Sequence, residues 1–98
     1  MSSLSDEEIR LRILQFLAKP PKKGTSAWGV HKSIVRKAIS VQEIILDNNI
    51  TYLARRGLVK LVQSSLGTEW IWAKITPVGL DVLQNPTRYK DRFLIRSQ

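Results

Sequence analysis

Residues that begin and end helices divide this chain into short segments, and they limit the folds that it can adopt. Ser5 and Glu8 have the spacing of a capping box, and the paired prolines Pro20 and Pro21 end the segment that follows. Apolar residues recur at helical spacing between these two points. The pattern predicts a first helix over residues 6–18.

Two further helices are predicted before Gly57. Thr25 or Ser26 can cap a second helix that ends near residue 38. Four apolar residues form its expected buried face: Ala27, Val30, Ile34 and Ala38. Ser40 and Glu43 form another capping box, which predicts a third helix over residues 41–56 that Gly57 closes.

The remaining elements are a hairpin and a fourth helix. Runs rich in Val, Ile, Leu and Trp over residues 58–63 and 69–75 predict two β-strands. Trp70 and Trp72 alternate on the second strand, so we expect them to point the same way and to pack in the core or at a subunit interface. Stacking on single-stranded nucleic acid is the alternative. Thr76 followed by Pro77 predicts a short helix over residues 77–84. The predicted class is α+β, mostly α.

The size and composition favour one cytoplasmic domain. The chain has 98 residues, of which 43% are hydrophobic, which is enough for one core and too little for two. It contains no cysteine, so disulfides and thiolate metal sites are excluded. We also expect no membrane span and no signal peptide, because the longest apolar run is short and the N-terminus is acidic.

The charge of the chain indicates a polyanionic partner. Sixteen Lys and Arg residues against eight Asp and Glu residues give a net charge of +8. No acid stands between Glu8 and Glu43, where eight basic residues lie. A basic surface of this kind suits nucleic acid, although it can also serve solubility alone.

Two joints of the predicted fold resemble those of known regulators. Residues 53–59, with the sequence LARRGLV, resemble the end of the recognition helix and the start of the wing in MarR-like and PadR-like transcriptional regulators. Residues 75–83, ITPVGLDVL, resemble the exit of their wing, and residues 28–30, WGV, are similar to the start of the second helix in PadR-like proteins. The resemblance implies a winged helix: a three-helix helix-turn-helix core, a two-stranded β-hairpin wing and a C-terminal helix. Residues 1–84 would form this DNA-binding domain, and residues 85–98 a basic and apolar tail.

The same resemblance implies a sequence-specific regulator that reads the major groove of double-stranded DNA with its third helix. The candidate base-reading residues lie along that helix: Asn48, Thr51, Tyr52 and Arg55. The candidate phosphate contacts lie on or before the second helix: Lys22, Lys23, Lys32, Ser33, Arg36 and Lys37. A solvated helix face remains the alternative for any one of them.

The tail is expected to support a homodimer. Tyr89, Phe93 and Leu94 have the spacing of one helical stripe that a second copy could cover. Packing against the first helix of the same chain is the alternative.

Other functions receive less support from the residues. His31 is the only histidine, so we expect neither a metal site nor a catalytic triad, and no enzyme or cofactor. The main rival is a winged-helix module that docks to an acidic protein, which Glu43, Asp47 and the absence of Lys and Arg from the wing tip at residues 64–68 would favour. Binding to RNA or single-stranded DNA is a third possibility.

Overall fold

The computed structural model describes residues 4–89 of the chain. Within them the protein is an α+β domain of four α-helices and one four-stranded antiparallel sheet. The elements are, in chain order, α1 (Asp6–Ala18), β1 (Thr25–Ser26), β2 (Gly29–His31), α2 (Lys32–Ala38), α3 (Glu43–Arg55), β3 (Val59–Gln63), β4 (Trp70–Ile75), α4 (Pro77–Gln84) and a 3-10 turn (Pro86–Tyr89). The strands lie side by side in the order β1-β2-β4-β3.

Helices α1 and α4 have the predicted bounds, because each begins at a local capping signal. The Ser5 hydroxyl accepts a hydrogen bond from the backbone N–H of Glu8 at 3.2 Å. The Thr76 hydroxyl accepts one from the backbone N–H of Gly79 at 3.1 Å, with Pro77 at the first helical position.

The second helix is shorter than predicted. Residues 25–31 form a hairpin instead, in which Ser26 pairs with Gly29, and α2 begins only at Lys32. Gly29 has a φ of +108°, which no helix permits, and a Cβ built there would lie 2.1 Å from the carbonyl oxygen of Ala73. This glycine therefore lets the hairpin approach β4 closely. The cap of α2 is His31, whose Nδ1 accepts from the backbone N–H of Ser33 at 3.1 Å.

The expected buried face of the second helix was largely wrong for the same reason, and of its four residues only Ile34 both lies on α2 and packs against the core. Val30 is buried, but it lies on β2, and Ala27 and Ala38 are exposed. The residues that α2 itself buries are Lys32 and Val35.

Helix α3 begins two residues later than predicted. Its cap is Gln42, which makes no side-chain capping bond, so the capping box of Ser40 and Glu43 was wrong. The end is as expected: Gly57 follows with a φ of +78°, and the backbone N–H of Leu58 donates to the carbonyl of Leu53 at 3.0 Å.

Strands β3 and β4 form the predicted hairpin, but the two tryptophans of β4 lie on opposite faces of the sheet. Val62 pairs with Trp72 and Gln63 with Trp70, so Ile71 is an extra residue at a bulge. The bulge reverses the alternation of side chains. Trp70 is therefore buried in the core, whereas Trp72 lies on the outer face.

One hydrophobic core joins the helices to the inner face of the sheet. Its fully buried members include Val35 of α2 and Ala73 of β4. The largest come from α1, from α3 and from the residue just before β3: Ile13, Leu14, Leu46, Ile50, Leu53 and Leu58. Within residues 4–89, no helix is both long and apolar enough to cross a membrane.

Candidate nucleic-acid interface

Helix α3 presents an outward stripe of four residues opposite its buried face. Ile44, Asn48, Thr51 and Arg55 follow one another at intervals of four, three and four residues, so their side chains lie along one line of the helix. Ile44 is 65% exposed, and Asn48 and Arg55 are also exposed. At 1.5 Å per residue the stripe is about 16 Å long. We call these four residues the α3 stripe.

The structure brings together the four residues that were predicted to read bases. Asn48, Thr51, Tyr52 and Arg55 line one open hollow beside α3. The hollow is completed by Asp47 and Arg56. It therefore offers amide, hydroxyl and guanidinium groups within one surface, which are the groups that can hydrogen-bond to base edges.

Tyr52 lies between two guanidinium groups. The ring centroid is 3.8 Å from the Cζ of Arg10 and 4.1 Å from the Cζ of Arg56, which are cation–π distances. The ring thus holds two cations at the edge of the hollow. Sequence reasoning had assigned Tyr52 to base reading and had not singled out either arginine.

Asn49, which is only 2% exposed, supports this arrangement from below. Its Oδ1 accepts from Nε of Arg10 at 2.9 Å, and its Nδ2 donates to Oδ1 of Asp6 at 3.1 Å and to the carbonyl of Ile45 at 2.9 Å. The amide therefore fixes α1 against α3 and positions the guanidinium of Arg10. No local sequence pattern predicts this contact, because Arg10 and Asn49 are 39 positions apart.

The two acids of α3 both have partners inside the protein. Glu43 forms an ion pair with Arg36 of α2, and Oδ1 of Asp47 accepts from the indole Nε1 of Trp70 at 3.0 Å. Arg36 therefore braces α2 against α3. The hydrogen bond from Trp70 gives Asp47 a structural role. This role explains why an acidic residue lies in the hollow.

The six candidate phosphate contacts do not form one exposed set. Lys32 is buried, with Nζ 5.0 Å from the ring centroid of Trp70 and 3.9 Å from Oε2 of Glu69, so the expectation that it lies on an exposed face was wrong. Arg36 is half-buried in its ion pair. The other four are exposed: Lys22, Lys23, Ser33 and Lys37.

The described part of the tail folds back onto α4. The Tyr89 hydroxyl donates to Asp81, the Asn85 amide donates to the same carboxylate at 2.7 Å, and Arg88 lies 3.6 Å from it. The hydrogen bond from Tyr89 is the main reason that the pKa of Asp81 is lowered, and Asn85 and Arg88 add to it. Tyr89 thus contacts α4 of its own chain, whereas the alternative to a dimer contact had placed it against the first helix. Phe93 and Leu94 lie outside the described residues.

Within residues 4–89, no three His, Asp or Glu side chains lie close enough together to hold a metal ion. We compared the chain with protein-family models, with curated proteins and with solved structures, and none of them matched.

Proposed function

We propose that this chain is a winged helix-turn-helix protein that binds double-stranded DNA sequence-specifically and regulates transcription. In this proposal α2 and α3 are the helix-turn-helix pair, α3 enters the major groove, and β3 and β4 are the wing. The four residues between α2 and α3 have the length of the turn in such motifs.

The observation that carries the proposal is the α3 stripe with its hollow. Asn48 suits a bidentate bond to adenine and Arg55 one to guanine, while the exposed Ile44 suits the methyl group of thymine. A polar stripe opposite a fully buried face is the arrangement that a groove-reading helix needs. The stripe spans about five base-pair steps of about 3.4 Å.

Basic and hydroxyl groups outside the stripe suit the phosphate backbone. Ser33 and Lys37 are exposed on α2, and Arg10 and Arg56 flank the ring of Tyr52. Phosphate contacts of this kind fix the orientation of the helix without reading sequence.

We also propose that the protein acts as a homodimer. The α3 stripe covers about 16 Å, whereas two half-sites lie about 34 Å apart along DNA. A second copy would supply the second reading helix. Sedimentation equilibrium, with and without a palindromic duplex, measures this directly, and a monomer under both conditions would contradict the homodimer.

Fluorescence anisotropy on a random-sequence duplex, followed by selection of the preferred site, tests the proposal. We expect log affinity to fall against log salt with a slope of about −4 to −5, which corresponds to about four to six neutralised phosphates. The double variant Asn48→Ala, Arg55→Ala should lose about 10- to 100-fold in affinity for the selected site and much less for random DNA.

Arg12→Ala is the matched control for the loss of a cation. Arg12 is exposed on α1 and lies two positions after Arg10, which places it on the far side of that helix from α3. This variant should bind the selected site nearly as well as the wild type. Equal losses in both variants, or no duplex binding even at low salt, would contradict the proposal.

A protein-docking module is the second candidate, because apolar side chains are exposed both on the α3 stripe and at the wing tip. Ile44 on α3 is 65% exposed and Leu66 at the wing tip is 97% exposed. In that case an acidic protein would occupy the stripe, and Ile44→Ala would weaken its binding while duplex DNA failed to compete for the surface.

A further inference from the structure

The outer face of the sheet carries the exposed Trp28, two half-buried rings and two exposed lysines that the proposed duplex site does not use. Five residues make up this surface, which we call the tryptophan face: Trp28, His31, Lys60, Trp72 and Lys74. It lies on the side of the sheet opposite the core, because the neighbouring strand residue Ala73 is fully buried on the inner side.

The three rings of this face form one cluster. The Trp28 and Trp72 centroids are 5.9 Å apart with an interplanar angle of 59°, and the His31 ring meets Trp72 edge-on at 5.0 Å. Trp28 is nevertheless 60% exposed. The indole of Trp28 therefore presents a large flat apolar surface to solvent, next to the rings of Trp72 and His31.

The lysines of the face stand directly opposite each other. Lys60 of β3 pairs in register with Lys74 of β4, and both are exposed. Like charges at opposite positions of a sheet destabilise it. Val62 and His31 are the residues paired with Trp72, so no acid stands at these register positions. The unbalanced positive charge next to the rings suits a partner that carries both anionic groups and flat apolar faces.

We propose that the tryptophan face binds single-stranded nucleic acid. An unpaired base stacks on the indole of Trp28, and the phosphates on either side of that base lie near Lys60 and Lys74. Aromatic rings provide stacking for any base, and cations provide attraction to the backbone, which is the usual chemistry of single-strand binding. This surface is separate from the α3 stripe and does not depend on duplex recognition.

Quenching of tryptophan fluorescence by an oligothymidine of about ten nucleotides tests the proposal, since single-strand sites have about this length. We expect saturable quenching in the wild type and an affinity about 5- to 100-fold lower in Trp28→Ala. Because Trp28 is largely exposed, this variant should remain folded, which circular dichroism checks. Leu66→Ala, which removes an exposed apolar side chain from the wing tip, is the matched control and should bind like the wild type.

Two further probes separate stacking from charge. An abasic strand of the same length should bind about 5- to 100-fold more weakly than oligothymidine. The variant Lys60→Gln, Lys74→Gln should reduce the slope of log affinity against log salt by about 1.4, because each phosphate contact to a single strand contributes about 0.7. Equal affinity for the two strands, or unchanged affinity in Trp28→Ala, would overturn the proposal.

The variant Asn48→Ala, Arg55→Ala separates this proposal from the duplex proposal. It should keep its affinity for oligothymidine whether or not the wild type binds duplex DNA. If it loses oligothymidine as strongly as Trp28→Ala does, the α3 stripe is the single-strand site and the proposal fails. If the wild type is a dimer that Trp28→Ala converts to a monomer, and oligothymidine causes no quenching, a second copy occupies the face and the proposal also fails.

Discussion

The α3 stripe and the tryptophan face lie outside the same core, but they present opposite chemistry. Asn48, Thr51 and Arg55 offer hydrogen-bond donors and acceptors, whereas Trp28 and Trp72 offer flat rings. In a duplex the base edges are accessible in the grooves and the base faces are hidden in the stack, while in a single strand the faces become accessible. The two surfaces that we propose for this small basic chain would therefore bind two different forms of nucleic acid.

The two surfaces also differ in how they are supported. The α3 stripe stands on a helix whose opposite face contains Leu46, Ile50 and Leu53, all fully buried. Trp28 lies in the short turn between β1 and β2, at the edge of the sheet. We therefore expect the tryptophan face to be the easier of the two to disturb separately.

Gly29→Ala should produce the largest effect, and we expect it to damage the tryptophan face while leaving the α3 stripe intact. The added Cβ would meet the carbonyl oxygen of Ala73 at a backbone φ of +108°, so we expect a loss of about 3 kcal/mol in the free energy of unfolding. Below its melting temperature the variant should bind duplex DNA but lose affinity for oligothymidine, because the hairpin that holds Trp28 has moved.

Gly67→Ala is the control for Gly29→Ala, since a Cβ at Gly67 meets nothing within 4 Å. Chemical denaturation gives the stability of each variant, and titration with both DNA forms gives the binding. A Gly29→Ala protein as stable as Gly67→Ala would show that the close approach to β4 is unimportant.

Asn49→Ala should have the next largest effect and tests the support of the α3 stripe. The change removes three hydrogen bonds from a buried amide, so we expect a loss of about 2 kcal/mol in the free energy of unfolding. Duplex affinity should also fall, because Arg10 is no longer fixed beside Tyr52.

The neighbouring change Asn48→Ala should give the reverse result. Its side chain is exposed, so stability should stay within about 0.5 kcal/mol of the wild type while discrimination between duplex sequences weakens. Thermal unfolding and duplex binding distinguish the two variants. Equal stability losses would mean that the Asn49 bonds do not hold α1 against α3.

Glu43→Gln should change the affinity of the α3 stripe for duplex DNA through charge alone, without changing the affinity of the tryptophan face for oligothymidine. It neutralises the carboxylate that pairs with Arg36 and so removes a negative charge near the α3 stripe. Duplex affinity should therefore rise by about threefold, as expected for a contribution of less than about 1 kcal/mol. Affinity for oligothymidine should not change. Glu7→Gln carries the same charge change at an exposed position of α1 and should leave both affinities nearly unaltered.

The local parts of this fold could be predicted from sequence, and the non-local parts could not. The bounds of α1 and α4 follow from capping residues and prolines within the segments themselves. The hairpin over residues 25–31 escaped prediction because Val30 pairs with Ala73, far along the chain, and only that pairing explains Gly29. The bulge at Ile71 likewise exists only in the register between β3 and β4.

The candidate site divides in the same way. Helical periodicity is enough to place Asn48, Thr51 and Arg55 on one side of α3. Arg10 joins them only because Asn49 bridges two helices, which no periodicity reveals. Lys32 was misplaced because Ala27 and Val30, which helped to define the predicted buried face, lie outside α2.

Asp81→Asn should have the smallest effect and lies away from both surfaces. The pKa of Asp81 is lowered in the folded protein, so its ionised form stabilises the 3-10 turn above the unfolded pKa of about 3.9. That stabilisation is lost as the pH falls through the lower, folded value. The wild type should therefore lose order around Tyr89 on acidification, and Asp81→Asn should show a weaker response.

The NMR signals of the Tyr89 ring, followed from neutral to acid pH, measure this change. Tyr89→Phe is the control, because it removes the hydroxyl that binds Asp81 and keeps the ring. Identical acid profiles in all three proteins would mean that the carboxylate does not hold the turn. Binding to duplex DNA and to oligothymidine at neutral pH should be the same in all three.

The bulge in β4 makes the chain unequally tolerant of changes in strand length. Deleting Ile71 would restore regular alternation and would leave Trp70 in the core beside Asp47. Inserting a residue there would also restore alternation, but Ile71 would take the place of Trp70, and the indole would move about 6.7 Å along the strand, out of reach of Asp47. A deletion at this point of the β3–β4 hairpin should therefore be tolerated better than an insertion.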